Sequence, residues 1–311
     1  MSRATTQPSA EEITLVQFAI EWYGVKTAGL RQKSATVYRT TINSHIAPFF
    51  QNIRLTDITP MMVRKLMAEK SELARSTQSK ILYTLKQIFS LAVESEIIKK
   101  NPAENIKPGG ARAKEKVPLS GEQQEELLRL AAGTRAEVFT KLCLFAGLRR
   151  EEALGLLWDS VHMDSDTPYL EVRHTVSEGK HGAEHTAKLK SRAARRSIPM
   201  PEVLTSALMG ARKTKSSRYV VPKATNGSFM TGTAFKKMWT PLKKKVSFNV
   251  HPHLLRHTYI TELCASGMDI KKIQYLAGHE DVTMTLRVYA HVKENSPQEL
   301  SEEIINIFKR E

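Results

Sequence analysis

Residues 101–119, N-P-A-E-N-I-K-P-G-G-A-R-A-K-E-K-V-P-L, interrupt an otherwise periodic chain and limit what it can fold into. Pro, Gly and basic residues without an apolar period have the composition of an exposed linker. A chain of 311 residues divided there holds two domains, each long enough for its own core. The expected divisions are a flexible N-terminus (1–10), a helical domain (11–103), a linker (104–119), a second domain (120–295) and a tail helix (296–311).

Upstream of the break, residues 11–24 place Ile13, Val16, Ala19, Ile20 and Tyr23 at helical spacing. A second helix is expected from about Ser34 to Ile46, closed by Pro48. Pro60 opens a third behind Thr59 as N-cap, and a fourth runs from about Ser76 to Glu94 with Ile81, Leu85, Ile88, Leu91 and Ala92 on one face. Downstream, Ser120-Gly-Glu-Gln123 reads as a capping box. Three runs, 169–176, 185–190 and 195–200, read as short antiparallel strands, the last two joined by a basic loop. Helical pattern resumes at Pro201. The fold class is mainly α with a small antiparallel β-sheet.

Charge narrows the partners. The chain carries 47 Lys and Arg against 32 Asp and Glu, for +15. Residues 1–110 hold 15 basic and 9 acidic residues (+6), and the remainder carries +9, so the excess is no tail. A polyanion met along the whole chain fits that distribution, and nucleic acid is the first candidate. No apolar run spans a membrane and the N-terminus lacks a signal core. Cys143 and Cys264 lie in apolar runs and read as buried thiols of a reducing compartment. Basic residues interleaved with Ser and Thr, in R-Q-K-S-A-T-V-Y-R-T-T (31–41) and A-R-S-T-Q-S-K (74–80), suit phosphate contacts and equally suit a solvated helix face. Arg31, Lys33, Arg39, Arg75 and Lys80 are the candidates there, with Arg192 in the second domain.

Four islands in the second domain carry chemistry. In A-G-L-R-R-E-E-A-L-G-L-L-W (146–158), Arg149 falls at a turn between helices, either aimed into a site or a surface cap. In L-K-S-R-A-A-R-R-S-I-P-M (189–200), Lys190 sits toward a hairpin tip, a proton donor or one more phosphate contact. In H-P-H-L-L-R-H-T-Y (251–259), His253, Arg256 and His257 can share a helix face. Histidines four apart can chelate zinc, yet H-E-x-x-H and a Cys pair are missing and Arg256 would put positive charge beside the metal. In A-G-H-E-D-V-T-M-T-L-R-V-Y-A-H-V (277–292), Gly278 ends one helix, His279 follows, and Tyr289 lies on or after a short helix begun near Asp281, a nucleophile or a core ring.

Two arginines, a lysine, two histidines and a tyrosine without a carboxylate pair suit a reaction at phosphate. A tyrosine can attack a phosphodiester and become a covalent intermediate. Arginine forks stabilise charge on the non-bridging oxygens, and a general acid protonates the leaving oxygen.

In this order the islands resemble the tyrosine recombinase (phage integrase) family, in its mobile-element branch. A-G-L-R-x-x-E aligns Arg149 with the family's first catalytic arginine and Glu152 with the acidic residue that orients the site. His253-Leu-Leu-Arg256, followed by His257, matches His-x-x-Arg, Gly278-His279 matches Gly-His, and Tyr289 falls on the nucleophile. Counting back from I-P-M selects Lys190 as the hairpin lysine, with Lys188 the runner-up.

The resemblance implies a helical core-binding domain joined to a mixed α/β catalytic domain. It implies that Tyr289 attacks the scissile phosphate to form a 3′-phosphotyrosyl link and free a 5′-hydroxyl. Lys190 protonates that oxygen, His253 handles the nucleophile's proton, and Arg149, Arg256 and His279 hold the phosphate. One phosphodiester replaces another, so no cofactor, metal or ATP is implied. The implied partners are double-stranded DNA with inverted-repeat core sites, a homo-tetramer on that DNA and accessory DNA-bending proteins, in the bacterial cytoplasm at the nucleoid.

Ser296-Pro-Gln-Glu299 is a capping box, and Leu300, Ile304, Ile305, Ile307 and Phe308 give the tail an apolar face. From the pattern alone it docks on its own domain or on a neighbour, and the resemblance favours the neighbour. About ten residues precede the first helix, so the expectation is a two-domain recombinase or a trimmed chain, without the arm-site domain of many mobile-element integrases. The rival readings are a type IB topoisomerase-like nickase, a DNA-binding protein without catalysis, and a zinc hydrolase.

Overall fold

The computed structural model describes residues 12–30, 32–110, 117–179, 182–187, 189, 191–214 and 216–292, with backbone only for 33, 178, 179, 192, 287 and 289–292. Arg31, Lys188, Lys190 and the tail at 296–311 lie outside the described residues. The chain forms two compact units, Met1–Glu115 and Lys116–Glu311.

The first unit is helical: α1 (Leu15–Thr27), α2 (Gln32–Thr41), α3 (Ala47–Phe50), α4 (Pro60–Glu69) and α5 (Arg75–Glu94). A capping box starts α1, with the Thr14 hydroxyl accepting from the Gln17 N–H at 3.2 Å and the Gln17 carboxamide accepting from the Thr14 N–H at 3.0 Å. Its buried face is Leu15, Phe18, Ala19 and Trp22, not the one expected, and Ile20 is 64% exposed. Two apolar stripes overlap in this sequence, and the one bearing Phe18 and Trp22 buries more area.

Pro48 does not close the second helix. The chain passes through one π-turn, Ile42–Ile46, into α3, where Pro48 stands in the first turn and its missing N–H costs nothing. Thr59 caps α4, its hydroxyl accepting from the Met62 N–H, and α5 buries Ile81, Leu85, Ile88 and Ala92 as read from the sequence. Residues 101–110 are not an exposed linker. Ala103 and Ile106 are buried in the first core, and the buried Gln78 carboxamide accepts from the Gly109 N–H at 3.1 Å while donating to Ser71 and Leu73 carbonyls. Two apolar side chains three apart hold this Pro- and Gly-rich segment on α5.

The second unit contains α6 (Gly121–Ala131), α7 (Glu137–Phe145), α8 (Arg150–Gly155), β1 (Val161–His162), β2 (Tyr169–Val172), β3 (Thr175–Gly179), β4 (Gly182–Thr186) and β5 (Arg196–Pro199). It continues with α9 (Glu202–Lys213), α10 (Gly232–Lys245), α11 (Pro252–Ala265), α12 (Ile270–Ala277) and α13 (Thr283–Val292). The Ser120 capping box forms at the start of α6.

The strands are antiparallel but not paired as expected. The run 169–176 breaks at Arg173-His174 into β2 and β3. β2 lies between β1 and β5, while β3 and β4 form a separate hairpin. Among the described residues, the segments 185–190 and 195–200 therefore do not pair with each other. Close packing supplies the reason: a Cβ on Gly155 would come within 2.7 Å of the Thr175 backbone, so the end of α8 fixes where β3 starts. His185 Nε2 lies 2.9 Å from the Gly155 carbonyl and ties β4 to the same point.

The central core gathers α7, α10 and the inner sheet face, with Phe139 packed 4.9 Å from Phe235 and 5.5 Å from Trp239 between ring centroids. A smaller cluster of Tyr259, Ile260, Cys264, Ile273 and Ala277, with Val288 against it, joins α11, α12 and α13. Both cysteines are buried thiols, and burial pushes each thiol pKa upward. Among the described residues no helix is long and apolar enough to cross a membrane.

Candidate active site

Arg149 is an N-cap, neither helix-interior nor a C-cap. Its N–H donates to Glu152 Oε2 at 2.9 Å and its Nη1 to Glu152 Oε1 at 2.7 Å, so the Glu152 carboxylate reaches back to satisfy the N-cap N–H and pairs with the guanidinium at once. The other fork nitrogen, Nη2, donates to the Gly278 carbonyl at 2.7 Å. Arg149 is thus aimed from two sides while its side chain stays 31% exposed.

Gly278 can offer that carbonyl because it ends α12 in the left-handed region (φ 58, ψ 44). Its N–H donates to the Tyr275 carbonyl, and the following His279 N–H donates back to Gln274 at 3.1 Å. This turn delivers the His279 ring to a buried position, 3.0 Å from the Thr285 hydroxyl on α13.

Arg256 comes from α11 and is 1% exposed. Its fork donates to the Gly147 carbonyl at 2.5 Å and to the Ala277 carbonyl. Gly147 has φ +59, and a Cβ there would overlap the Tyr259 ring, so glycine permits the close turn that presents its carbonyl to Arg256.

Arg256 and Arg149 therefore grip adjacent carbonyls, Ala277 and Gly278, at one helix end. Burial, then Arg149, lowers the Arg256 pKa to about 9, so it stays charged at neutral pH. Burial alone would raise the Glu152 carboxyl; Arg196, then Arg149 and Arg256, outweigh it and hold the group at about 2.

His279 is the opposite case. Burial, then Arg256, Arg149, Arg196 and His253, lower it to about 4, so the imidazole is neutral at physiological pH. The tautomer in which the Thr285 hydroxyl donates to Nδ1 puts the ring proton on Nε2, where it is a donor to an anion. Between pH 4 and 6.5 the unfolded chain binds a proton here that the folded chain does not, so stability should rise with pH across that window. Urea midpoints measured from pH 4.5 to 7.5 are expected to show this slope in the wild type and a shallower one in His279→Gln.

Of the residues picked from the sequence, the structure joins Arg149, Glu152, Arg256 and His279 into one cluster. His253 is exposed at the start of α11, close enough for its charge to act on His279. His257 is half-buried on the same helix. Tyr289 is on α13, with its side chain outside what is described. In the first unit Arg39 is exposed on α2, and Arg75 and Lys80 are exposed on α5, while the Lys33 and Arg192 side chains are not described.

Sequence reasoning missed Arg196. It opens β5, is 3% exposed, and forks onto Glu152 through Nη2 at 3.0 Å and Nη1 at 3.3 Å. A signal existed: Arg196, Ile198 and Met200 alternate on one face of the run R-S-I-P-M, so an inward Ile198 puts Arg196 inward.

Residues 118–296 match the phage integrase family, and residues 14–71 match the phage integrase N-terminal SAM-like domain. The chain belongs to the phage integrase family and is a tyrosine recombinase of its mobile-element branch. Tyrosine recombinase XerC of Bacillus pumilus is 26% identical over 238 residues, 74% of each chain. The Prophage ps2 probable integrase of Lactococcus lactis is 26% identical over 92% of this chain and 81% of that one. The fold is that of the Tn1549 transposon integrase solved with a circular intermediate DNA, with a TM-score of 0.82 at 21% identity over 95% of this chain and 99% of that one.

Proposed function

We propose that this protein is a site-specific DNA recombinase that breaks and rejoins strands through a 3′-phosphotyrosyl intermediate, integrating or excising a mobile element. One observation carries the reading: Arg149 and Arg196 both bond a single carboxylate, Glu152, with Arg256 close enough for its charge to act on that group, beside the buried His279. Three positive charges and one negative leave the cluster at +2, a site that an anion completes. Arg149, Arg256 and His279 hold the scissile phosphate and stabilise the charge that builds on its non-bridging oxygens. Tyr289 stands one helical turn beyond Thr285, the residue that touches His279, and attacks the phosphorus. His253 takes the tyrosine proton, and Lys190, with Lys188 the alternative, gives one to the departing 5′-oxygen. The bond broken and the bond formed are both phosphodiesters, so the exchange needs no ATP.

The substrate in this reading is duplex DNA with inverted-repeat core sites, met by Arg39, Arg75 and Lys80 from the first unit and Arg192 from the second. Arg31 and Lys33 share that role. The active assembly is a homo-tetramer on DNA at the bacterial nucleoid, with accessory DNA-bending proteins. A solved relative, lambda integrase, forms a tetramer bound to a Holliday junction.

The tail at 296–311 docks in trans on a neighbouring copy. Supporting this is a groove of about 880 Å³ lined by Tyr169, Pro199, Met268, Tyr275 and Leu276, with two lysines, Lys271 and Lys272, against one carboxylate, Glu171, beside them. It suits the apolar residues of the tail and its acidic Glu302 and Glu303. A DNA-bound structure with 297–309 packed only within their own chain contradicts the trans arrangement.

Strand exchange tests the whole reading. Two labelled duplexes from the host's attachment regions, incubated with the protein and EDTA and without ATP, are expected to yield crossed-over products. Relaxation of supercoils without exchange would move the assignment to a topoisomerase-like nickase. Binding without either would leave a DNA-binding protein.

A further inference from the structure

We propose that Arg196 is a positioning residue for strand cleavage: it fixes Glu152 and the end of α12 together, and so sets the aim of Arg149. The inference rests on the phosphate-binding role of Arg149 proposed above.

The geometry carries it. Every Arg196 nitrogen is turned inward: Nε donates to the Leu276 carbonyl at 2.8 Å, Nη1 to Ala194 at 2.9 Å and to Glu152, and Nη2 to Glu152. At 3% exposure, with Nε, Nη1 and Nη2 all bonded within the protein, its fork is committed to Glu152 and the end of α12. What it holds is what holds Arg149. Glu152 Oε1 accepts from both Arg149 Nη1 and Arg196 Nη1, and Oε2 accepts from the Arg149 N–H and Arg196 Nη2. The carboxylate cannot rotate without losing bonds to both arginines.

The second support of Arg149 is the Gly278 carbonyl, and Arg196 lies under it as well. A Cβ on Gly278 would sit 2.9 Å from Arg196 Nη1, and the Leu276 carbonyl two residues earlier is the acceptor of Nε. Both anchors of the exposed guanidinium therefore close on one buried residue. Arg196 also begins β5, directly after the segment that contains Lys190. A buried ion pair is by itself weak support for stability, whereas fixing a fork at two points is what an oriented guanidinium requires.

The test is a double-mutant cycle on single-turnover cleavage of a nicked duplex that the wild type cuts. Arg196→Lys keeps the charge but loses the planar fork; Arg196→Gln, which keeps two donors without charge, is the second variant. Each is compared by thermal melting and by DNA affinity across salt, and rates are taken per folded molecule. The expected result is unchanged affinity with cleavage slowed about 10²-fold, the order that small misplacement of a catalytic group costs. Combined with Arg149→Lys, either variant should add less than about 3-fold to the loss from Arg149→Lys alone, because both act on one guanidinium. Multiplying losses, or a rate that merely follows the folded fraction, would overturn the inference. If Arg149→Lys itself leaves cleavage unchanged, the phosphate-binding reading has failed, independently of Arg196.

Discussion

Tyr289→Phe is expected to abolish covalent attachment to DNA and all strand exchange, while DNA affinity stays within about 2-fold of wild type. The change deletes one oxygen and keeps the ring. α13 is held by groups that remain, with Val288 packed against the small core cluster and Thr285 buried against His279. Without the hydroxyl there is no nucleophile for the phosphorus. Loss of a nucleophile in a cooperating set costs about 10⁴-fold or more, because the other members have nothing left to activate. Gel-shift titration beside SDS-resistant adduct formation separates the two properties. Weaker binding with residual adduct would assign the nucleophile to another residue and leave Tyr289 a packing role.

Glu152→Ala should be the most damaging change to stability. The carboxylate is 4% exposed and accepts four hydrogen bonds, two each from Arg149 and Arg196. Its removal leaves Arg196 and Arg256 buried with no counter-charge in the cluster. Removing one partner of a buried pair costs about 3–5 kcal/mol, which for a unit of this size lowers Tm by about 10 °C.

The pH dependence has a definite sign. Glu152 is held at about 2, below the usual carboxylate value, so its contribution is present above about pH 4.5 and fades as pH falls through 2. The wild-type advantage over Glu152→Ala should be full at pH 7 and shrink toward pH 2 in thermal melts. An alanine variant as stable as wild type at pH 7 would mean that the three arginines do not depend on that carboxylate.

The active-site cluster was legible where its logic is local. Gly278 announces a helix end that leaves His279 at the terminus, and Arg149 falls at the turn between two helices, while Glu152 was singled out by the resemblance. Helix starts were legible for the same reason, since Thr59 and the Ser120-to-Gln123 box act within one turn. Features set by long-range contacts were not. Arg196 meets Glu152 across 44 residues, and only the alternation of β5 hinted that it turns inward.

The break of 169–176 into two strands depends on the fit of Gly155 against Thr175, which no pattern within that run encodes. The face of α1 depended on which of two overlapping stripes buries more, and the π-turn before Pro48 on how the helix re-phases around a missing donor. Resemblance to a family supplied the roles of Tyr289 and Lys190, which spacing alone left open between nucleophile and core ring, and between proton donor and phosphate contact.

The measurement that tests the central claim most directly is peptide mapping of the covalent complex. Wild-type protein is incubated with nicked suicide duplexes from the host's attachment regions, in EDTA and without ATP. The adduct is digested and the nucleotide-bearing residue is read by mass spectrometry. The account predicts a 3′-phosphate linked to Tyr289 and a free 5′-hydroxyl on the departing strand. An adduct on any other residue, a 5′-phosphate linkage, or tight binding to self-selected sites with no adduct at all would contradict it.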